Sequence, residues 1–303
     1  MDIHHPNKQE LKDILAQLND EFIFSKGRTL PLEKRFPGLY SDSNRDALFG
    51  LFDSGQCLSF VATKPLYIKR NNIIVKAFAI GSVFTHPIFR HHGYSTQLLD
   101  FVCKQYSMKK FKAGYLWTGL RGYYEQLGWR RNDNYEVLII RNIKNAPTNI
   151  TNMQDAVASF SSIRKMTQID AVQLAKRSRG KIIRPLDGNG YFTILPPSDQ
   201  SITYITPNQS YLCGGIKNKT GYIFELNTQH NYEIEVFLKY FFQHEKLEEI
   251  WLNCEMHSLL EKIVTSIFTD IETRRFELQM CLAMDIEDKD FYEHLPIPFL
   301  DRI

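Results

Sequence analysis

The chain has 303 residues, 43% of them hydrophobic, and a formal net charge of +3 at pH 7; that length serves one large core or two of about 150 residues each. So small a charge, with no long lysine or arginine block, gives no reason to invoke nucleic acid. Residues 1–6 lack the charged-then-apolar layout of a signal peptide, and no apolar run approaches the roughly 20 residues of a membrane span, so a cytoplasmic protein without a membrane partner is expected.

The first half alternates helix and strand. A helix is predicted over residues 8–22, and stretches rich in β-branched and aromatic residues predict strands near 47–52, 58–68 and 73–84. Leu98, Leu99, Val102 and Tyr106 recur at helical spacing and place a second helix there. A strand at 115–118, a short helix carrying Tyr124 and a closing strand at 134–141 complete this half. Asn145, Ala146, Pro147, Thr148 and Asn149 lie in a stretch with little periodicity, which reads as a linker over 145–161 between a domain at 1–144 and another at 162–303.

In the second half a strand is expected at 162–166, a helix at 170–177 and strands near 191–195, 201–206 and 210–217. A strand at 221–226, a helix at 232–242, a strand at 249–254, a helix at 258–268 and a strand at 275–285 follow. The fold class is therefore α/β, in the α+β sense of mixed sheets, and the tail of the second half repeats the order seen over 73–141. Cys57, Cys103, Cys213, Cys254 and Cys281 are widely spaced without a Cys-x-x-Cys pair, so buried free thiols are expected and no zinc site or other metal is called for.

The most informative stretch joins the strand at 73–84 to the next helix: Val83, Phe84, Thr85, His86, Pro87, Ile88, Phe89, Arg90, His91, His92, Gly93, Tyr94, Ser95 and Thr96. It puts a basic, glycine-bearing turn at a helix N-terminus. There the first amides lack intrahelical partners, and the helix dipole adds about half a positive charge, so an anion is stabilised. Gly93 lets a ligand approach the backbone, Arg90, His91 and His92 supply cationic or hydrogen-bonding groups, and Ser95 and Thr96 supply hydroxyls. A pyrophosphate suits such a nest.

A second segment follows downstream: Gly122, Tyr123, Tyr124, Glu125, Gln126, Leu127, Gly128 and Trp129. Together the two segments resemble the GNAT superfamily of acyl-CoA-dependent N-acyltransferases. The first matches its pyrophosphate-loop motif, Arg/Gln-x-x-Gly-x-Gly/Ala, with Ser95 where Gly or Ala is usual. The second is similar to its Phe-Tyr-x-x-x-Gly-Phe element, which carries the tyrosine over to Tyr124 and the last aromatic to Trp129. The resemblance implies acetyl-CoA as cosubstrate, a primary amine as acceptor and direct attack in a ternary complex. It assigns cofactor binding to Val83, Phe84, Thr85, Arg90, His91, His92, Gly93, Tyr94, Ser95 and Thr96, and protonation of the leaving thiolate to Tyr124. The preference for Tyr124 over Tyr123 rests on motif register alone.

After the strand at 221–226 the chain runs Asn227, Thr228, Gln229, His230 and Asn231, with neither glycine nor arginine, so no second pyrophosphate site is expected. The second half then looks like a degenerate GNAT domain shaping the acceptor site. The tandem layout resembles the two N-terminal lobes of Eis-type acetyltransferases, and the sequence shows no counterpart of their sterol-carrier-like third domain.

Amide formation must remove a proton from an amine whose ordinary pKa is about 10.4, at a cost of roughly 4 to 5 kcal/mol at pH 7. No carboxylate lies on the strand at 73–84, where some GNAT enzymes keep a base, so ordered water, Glu125 or, as the resemblance to Eis-type enzymes implies, the terminal carboxylate of Ile303 are the routes considered. Amides around Val83, Phe84 and Thr85 are expected to face the thioester carbonyl. Lys104, Lys109, Lys110 and Lys112 form a basic cluster at the far end of the cofactor helix, read as solvated surface before a CoA contact, and Arg121, Arg130 and Arg131 flank the tyrosine element. A small-amine acetyltransferase, a non-catalytic acyl-CoA sensor and a protein-lysine acetyltransferase all fit these residues, and self-association is left open.

Overall fold

After a short strand β1 (Asp2–His4), helix α1 (Lys8–Phe22) starts on a capping box. The Asn7 side chain accepts the Gln9 and Glu10 amides, and the Glu10 carboxylate takes the Asn7 amide at 2.7 Å. Leu11, Ile14 and Leu18 then share one face and are buried. The computed structural model of the chain describes residues 1–36, 38–70, 73–120, 122–132, 135–143, 163–165, 182–183, 201–255, 258–274, 278–284 and 287–295. The expected linker at 145–161, the helix at 170–177, the strand near 191–195, Arg121 and Ile303 lie outside them.

A one-turn helix α2 (Leu32–Arg35) precedes the antiparallel meander β2 (Leu48–Asp53), β3 (Gln56–Arg70) and β4 (Ile73–Thr85). Helix α3 (Tyr94–Met108) leads to β5 (Ala113–Thr118), which lies parallel to β4. Strands β6 (Arg130–Asn132) and β7 (Tyr135–Ile143) follow. Further on come β8 (Arg164–Lys165), β9 (Ile182–Ile183), β10 (Ser201–Ile205), β11 (Tyr211–Lys217) and β12 (Thr220–Asn227). Helix α4 (Asn231–His244), β13 (Glu249–Glu255), α5 (Leu259–Ile267), β14 (Phe268–Arg274), β15 (Leu278–Ala283) and the short α6 (Lys289–Glu293) complete the described elements. No helix among the described residues is long and apolar enough to cross a membrane.

There are two mixed sheets, as expected from the sequence. The first runs β1-β2-β3-β4-β5-β15-β6, with β9 added to β3; the second runs β14-β7-β13-β12-β11-β10-β8. Adjacent residues of β2 show how the first is sandwiched. Leu48 packs under α1 with Phe60 and Phe84, whereas Phe49 packs under α3 with Phe78, Leu98 and Val102. In the second, Phe237 and Phe241 of α4 meet Leu138, Ile140, Leu212 and Ile250.

One expectation is corrected here. The strand predicted at 134–141 does form, but it pairs antiparallel with β13 and β14 in the second sheet. The place between β5 and β6 is filled from near the end of the chain by β15, through pairs such as Cys281↔Tyr115 and Cys281↔Arg130. The physical reason is burial. Leu138, Ile139 and Ile140 are consecutive and all buried, a pattern that needs both faces covered and both edges paired. β15 meets the same need, with Met280 in the core under α3 and Cys281 in the core on the other face. Cys57, Cys213 and Cys281 are buried and Cys103 half-buried, all with free thiols; burial and Asp100 push the Cys103 thiol up to about 12.

Candidate active site

β4 and β5 pair only over Ala77↔Ala113, Phe78↔Gly114 and Ala79↔Tyr115, although β4 continues to Thr85 and β5 to Thr118. The outer edge of β4 stays bound to β3 as far as Ser59↔Thr85, and that of β5 to β15 as far as Thr118↔Leu278. The sheet therefore splits down its middle. A bulge at Ser82, whose φ is 49°, shifts the alternation of β4 inside the split. The His86 amide bonds the Leu58 carbonyl at 3.0 Å, so alternation turns the polar groups of Val83 and Thr85 into the gap and those of Phe84 toward β3. The Phe84 ring is buried under α1. Of the three strand residues assigned to the cofactor, Val83 and Thr85 face the opening.

The turn after β4 ends at the same mouth. His91 and Gly93 both have left-handed φ, 67° and 79°, and a Cβ at Gly93 would meet nothing within 4 Å, leaving room over the backbone. α3 starts at Gly93 with no side-chain cap, and its first intrahelical bond is Gln97 N–H to Gly93 C=O at 3.0 Å. Among the described residues no turn or cap bond uses the amides of His91 to Thr96. A row of donors thus points outward at the positive end of a 15-residue helix. Arg90 is spoken for: its Nε donates to the Thr85 carbonyl at 3.2 Å and its terminal nitrogen pairs with Glu21 at 3.1 Å, fastening the turn to α1. His91 and His92 are exposed, and the His92 ring lies against Tyr94 at 5.7 Å. Lys104 pairs with Asp100, and Lys109 and Lys110 are exposed, at the opposite end of α3 and about 20 Å along its axis.

Over residues 2–131 the sequence matches the family model of the acetyltransferase (GNAT) domain. This segment is a GNAT acetyltransferase domain. The match stops at Arg131, so β15 joins the sheet of the GNAT domain from outside the matched residues. Solved structures with a similar fold across the chain include the following. A GCN5-related N-acetyltransferase from Anabaena variabilis is 12% identical with a TM-score of 0.67, over 94% of this chain and 73% of that one. Eis1 from Mycobacterium abscessus is 11% identical with a TM-score of 0.64, over 95% and 75%. Saccharomyces cerevisiae N-myristoyltransferase, solved with bound myristoyl-CoA, is 11% identical with a TM-score of 0.55, over 92% and 79%. No curated protein matches the sequence.

Tyr124 of the GNAT domain sits after β5, beside the start of α3. The expected short helix is instead a turn followed by a single 3-10 turn, Glu125–Leu127, because Gly128 at φ 87° closes it. The Tyr124 carbonyl accepts both the Leu127 and Trp129 amides, at 3.0 and 3.1 Å. Its ring is buried edge-on against Trp129 and Tyr123, and burial, with a smaller contribution from Tyr123, holds the phenol protonated well above its ordinary range. No hydrogen bond engages its hydroxyl among the described residues.

Glu125 fits poorly as a base. Its carboxylate accepts its own amide, the Gly122 amide at 2.9 Å and the Arg131 guanidinium, all of which pull its pKa down and favour the bound carboxylate. Arg131 is accordingly a partner of the turn, and Arg130 is exposed. Ile303 lies outside the described residues. Among those residues no group of three or more His, Cys, Asp or Glu is placed to hold a metal ion.

Three features of the site escaped the sequence. Glu21 reaches Arg90 across 69 positions. Tyr40, buried after α2, bonds the Ser82 hydroxyl on the bulge at 2.6 Å. Tyr123 reaches α3, its hydroxyl 2.7 Å from that of Ser95 and 3.3 Å from that of Thr96. None has a local sequence signal, since each partner lies on a different element.

Proposed function

We propose that the chain is an acetyl-CoA-dependent N-acetyltransferase that moves the acetyl group from the CoA thioester to a primary amine by direct attack. One observation carries this: unpaired amides of the turn and first turn of α3 converge at the mouth of the split between β4 and β5. That arrangement suits a diphosphate at the amides with its pantetheine arm laid along the free edge of β4. The Val83 and Thr85 backbones then meet the arm and the thioester carbonyl, stabilising charge as it develops. Holding the amine within about 3 to 3.5 Å of the thioester carbon replaces a chance encounter by a positioned one. As the C–N bond forms and the C–S bond breaks, Tyr124 is the proton donor to the thiolate: burial keeps the phenol protonated over the neutral range but also weakens it as an acid, so the transfer requires close contact with the sulfur. With Glu125 bound to Arg131, the ammonium proton leaves through ordered water. The second half, whose fold is shared with the Anabaena and Mycobacterium proteins, supplies the far wall of the acceptor site.

Calorimetric titration with coenzyme A, followed by thiol release from acetyl-CoA across a panel of primary amines, tests the reading. Binding with amine-dependent thiol release is expected. No heat at millimolar CoA would remove the proposal. Binding without turnover on any amine or any lysine-bearing protein would instead support an acyl-CoA sensor, a reading favoured by the tied-up Glu125.

A further inference from the structure

Two departures from the motifs that this chain matches each add a hydroxyl group. Ser95 stands where the pyrophosphate loop has Gly or Ala, and by register Tyr123 stands where the tyrosine element has Phe. The fold brings these additions together: the Tyr123 hydroxyl lies 2.7 Å from Ser95 Oγ and 3.3 Å from Thr96 Oγ1. All three side chains are half-buried, so the contact is partly shielded from competing water. Ser95 and Thr96 belong to the first turn of α3, where the unpaired amides lie, and Tyr123 is joined by one peptide bond to Tyr124. The two tyrosine rings also pack edge-on with centroids 4.8 Å apart.

We infer that Tyr123 is a positioning residue that makes the placing of Tyr124 depend on the cofactor. This rests on the proposed function above. A diphosphate drawing on the amides of Tyr94 to Thr96 stills the first turn of α3. Through the paired hydroxyls the same order passes to the turn at 122–128, which the Glu125 carboxylate also ties to Gly122 and Arg131. The Tyr124 hydroxyl has no hydrogen bond of its own among the described residues, so its place is set by this scaffold and by Trp129.

Backbone hydrogen exchange of the full chain, with and without saturating coenzyme A, tests the coupling in wild type, Tyr123→Phe, Ser95→Ala and the double variant. In wild type, CoA is expected to slow exchange about tenfold both at 91–97 and at 122–128. In Tyr123→Phe the slowing at 91–97 stays, whereas that at 122–128 falls below about twofold; Ser95→Ala, which leaves Thr96 beside the phenol, gives a smaller fall, and the double variant is no worse than Tyr123→Phe. A purely structural contact would speed exchange at 122–128 equally with and without CoA and leave the CoA-dependent difference intact, which overturns the inference while the proposed function stands. Absence of slowing at 91–97 in wild type removes both. Substitution from two separate elements, each by a smaller residue common at that position of the motif, keeps the test informative if one variant fails to fold.

Discussion

Helices α3 and α4 hold equivalent places, each crossing between the strands of a parallel pair, β4 with β5 and β12 with β13. Both pairs also part early: β12 and β13 pair only from Thr220↔Glu249 to Ile223↔Leu252. Their helix starts are opposite. At α3 the amides are uncapped and Gly93 leaves open space above them. At α4 the buried carboxylate of Glu233, in the third helical position, accepts the Gln229 and His230 amides at 2.9 Å each and the Ser210 hydroxyl at 2.6 Å. One lobe leaves the donors at its helix start unpaired; in the other a carboxylate of the helix itself takes the two amides just before it. The shared fold supplies the helix end, and the choice of one side chain in the first turn decides whether that end is available.

The sharpest way to break this contrast is to copy the plug. Thr96 occupies in α3 the position of Glu233 in α4, so Thr96→Glu should lower CoA affinity about 1000-fold, or about 4 kcal/mol, with the melting temperature held; undiminished binding by calorimetry would refute it. Tyr124→Phe comes next, with kcat about 100-fold lower and CoA affinity unchanged. Since burial raises the phenol pKa, the acid form persists on the alkaline side. Wild-type rate should rise with pH as the amine deprotonates and show no acid-loss limb below about pH 10. Glu233→Ala should cost about 2 kcal/mol in denaturant unfolding, by taking the acceptor away from the buried Ser210 hydroxyl and from the His230 amide, and should yield no second CoA site; a stoichiometry of two would mean that the plug alone separates the lobes. Glu21→Gln, which removes the ion pair but not the Thr85 bond of an exposed Arg90, should shift CoA affinity only about twofold and in a salt-dependent way.

What the sequence disclosed was local. The strand, turn and helix from Ile73 to Met108 announce themselves through side-chain period and the Arg90–Gly93 spacing, and helices α1, α4 and α5 fall within a residue or two of their expected bounds. Partner choice was not legible. Nothing in the composition of residues 135–143 says which sheet they join, because pairing is decided by burial against elements more than a hundred positions away. Strand β14 was also missed: Phe268 ends the apolar face of α5 and begins the strand, so periodicity alone ran the helix through it. At the site the same division holds. Gly93 could be read from its neighbours, whereas the pairing of Glu125 with Arg131 and of Tyr123 with Ser95 depends on how turns fold back.

The exchange of β7 and β15 has a consequence for how the chain comes into being. Until residues 278–283 have left the ribosome, the sheet that carries the split between β4 and β5 lacks an interior strand and shows the bare edges of β5 and β6 to its surroundings. Vectorial synthesis therefore cannot finish one lobe before starting the other, and folding waits on contacts of long sequence separation, which are slow to form. Each lobe holds a strand hostage for the other, so chain halves severed in the middle would be expected to reassemble by mutual complementation and neither to mature alone.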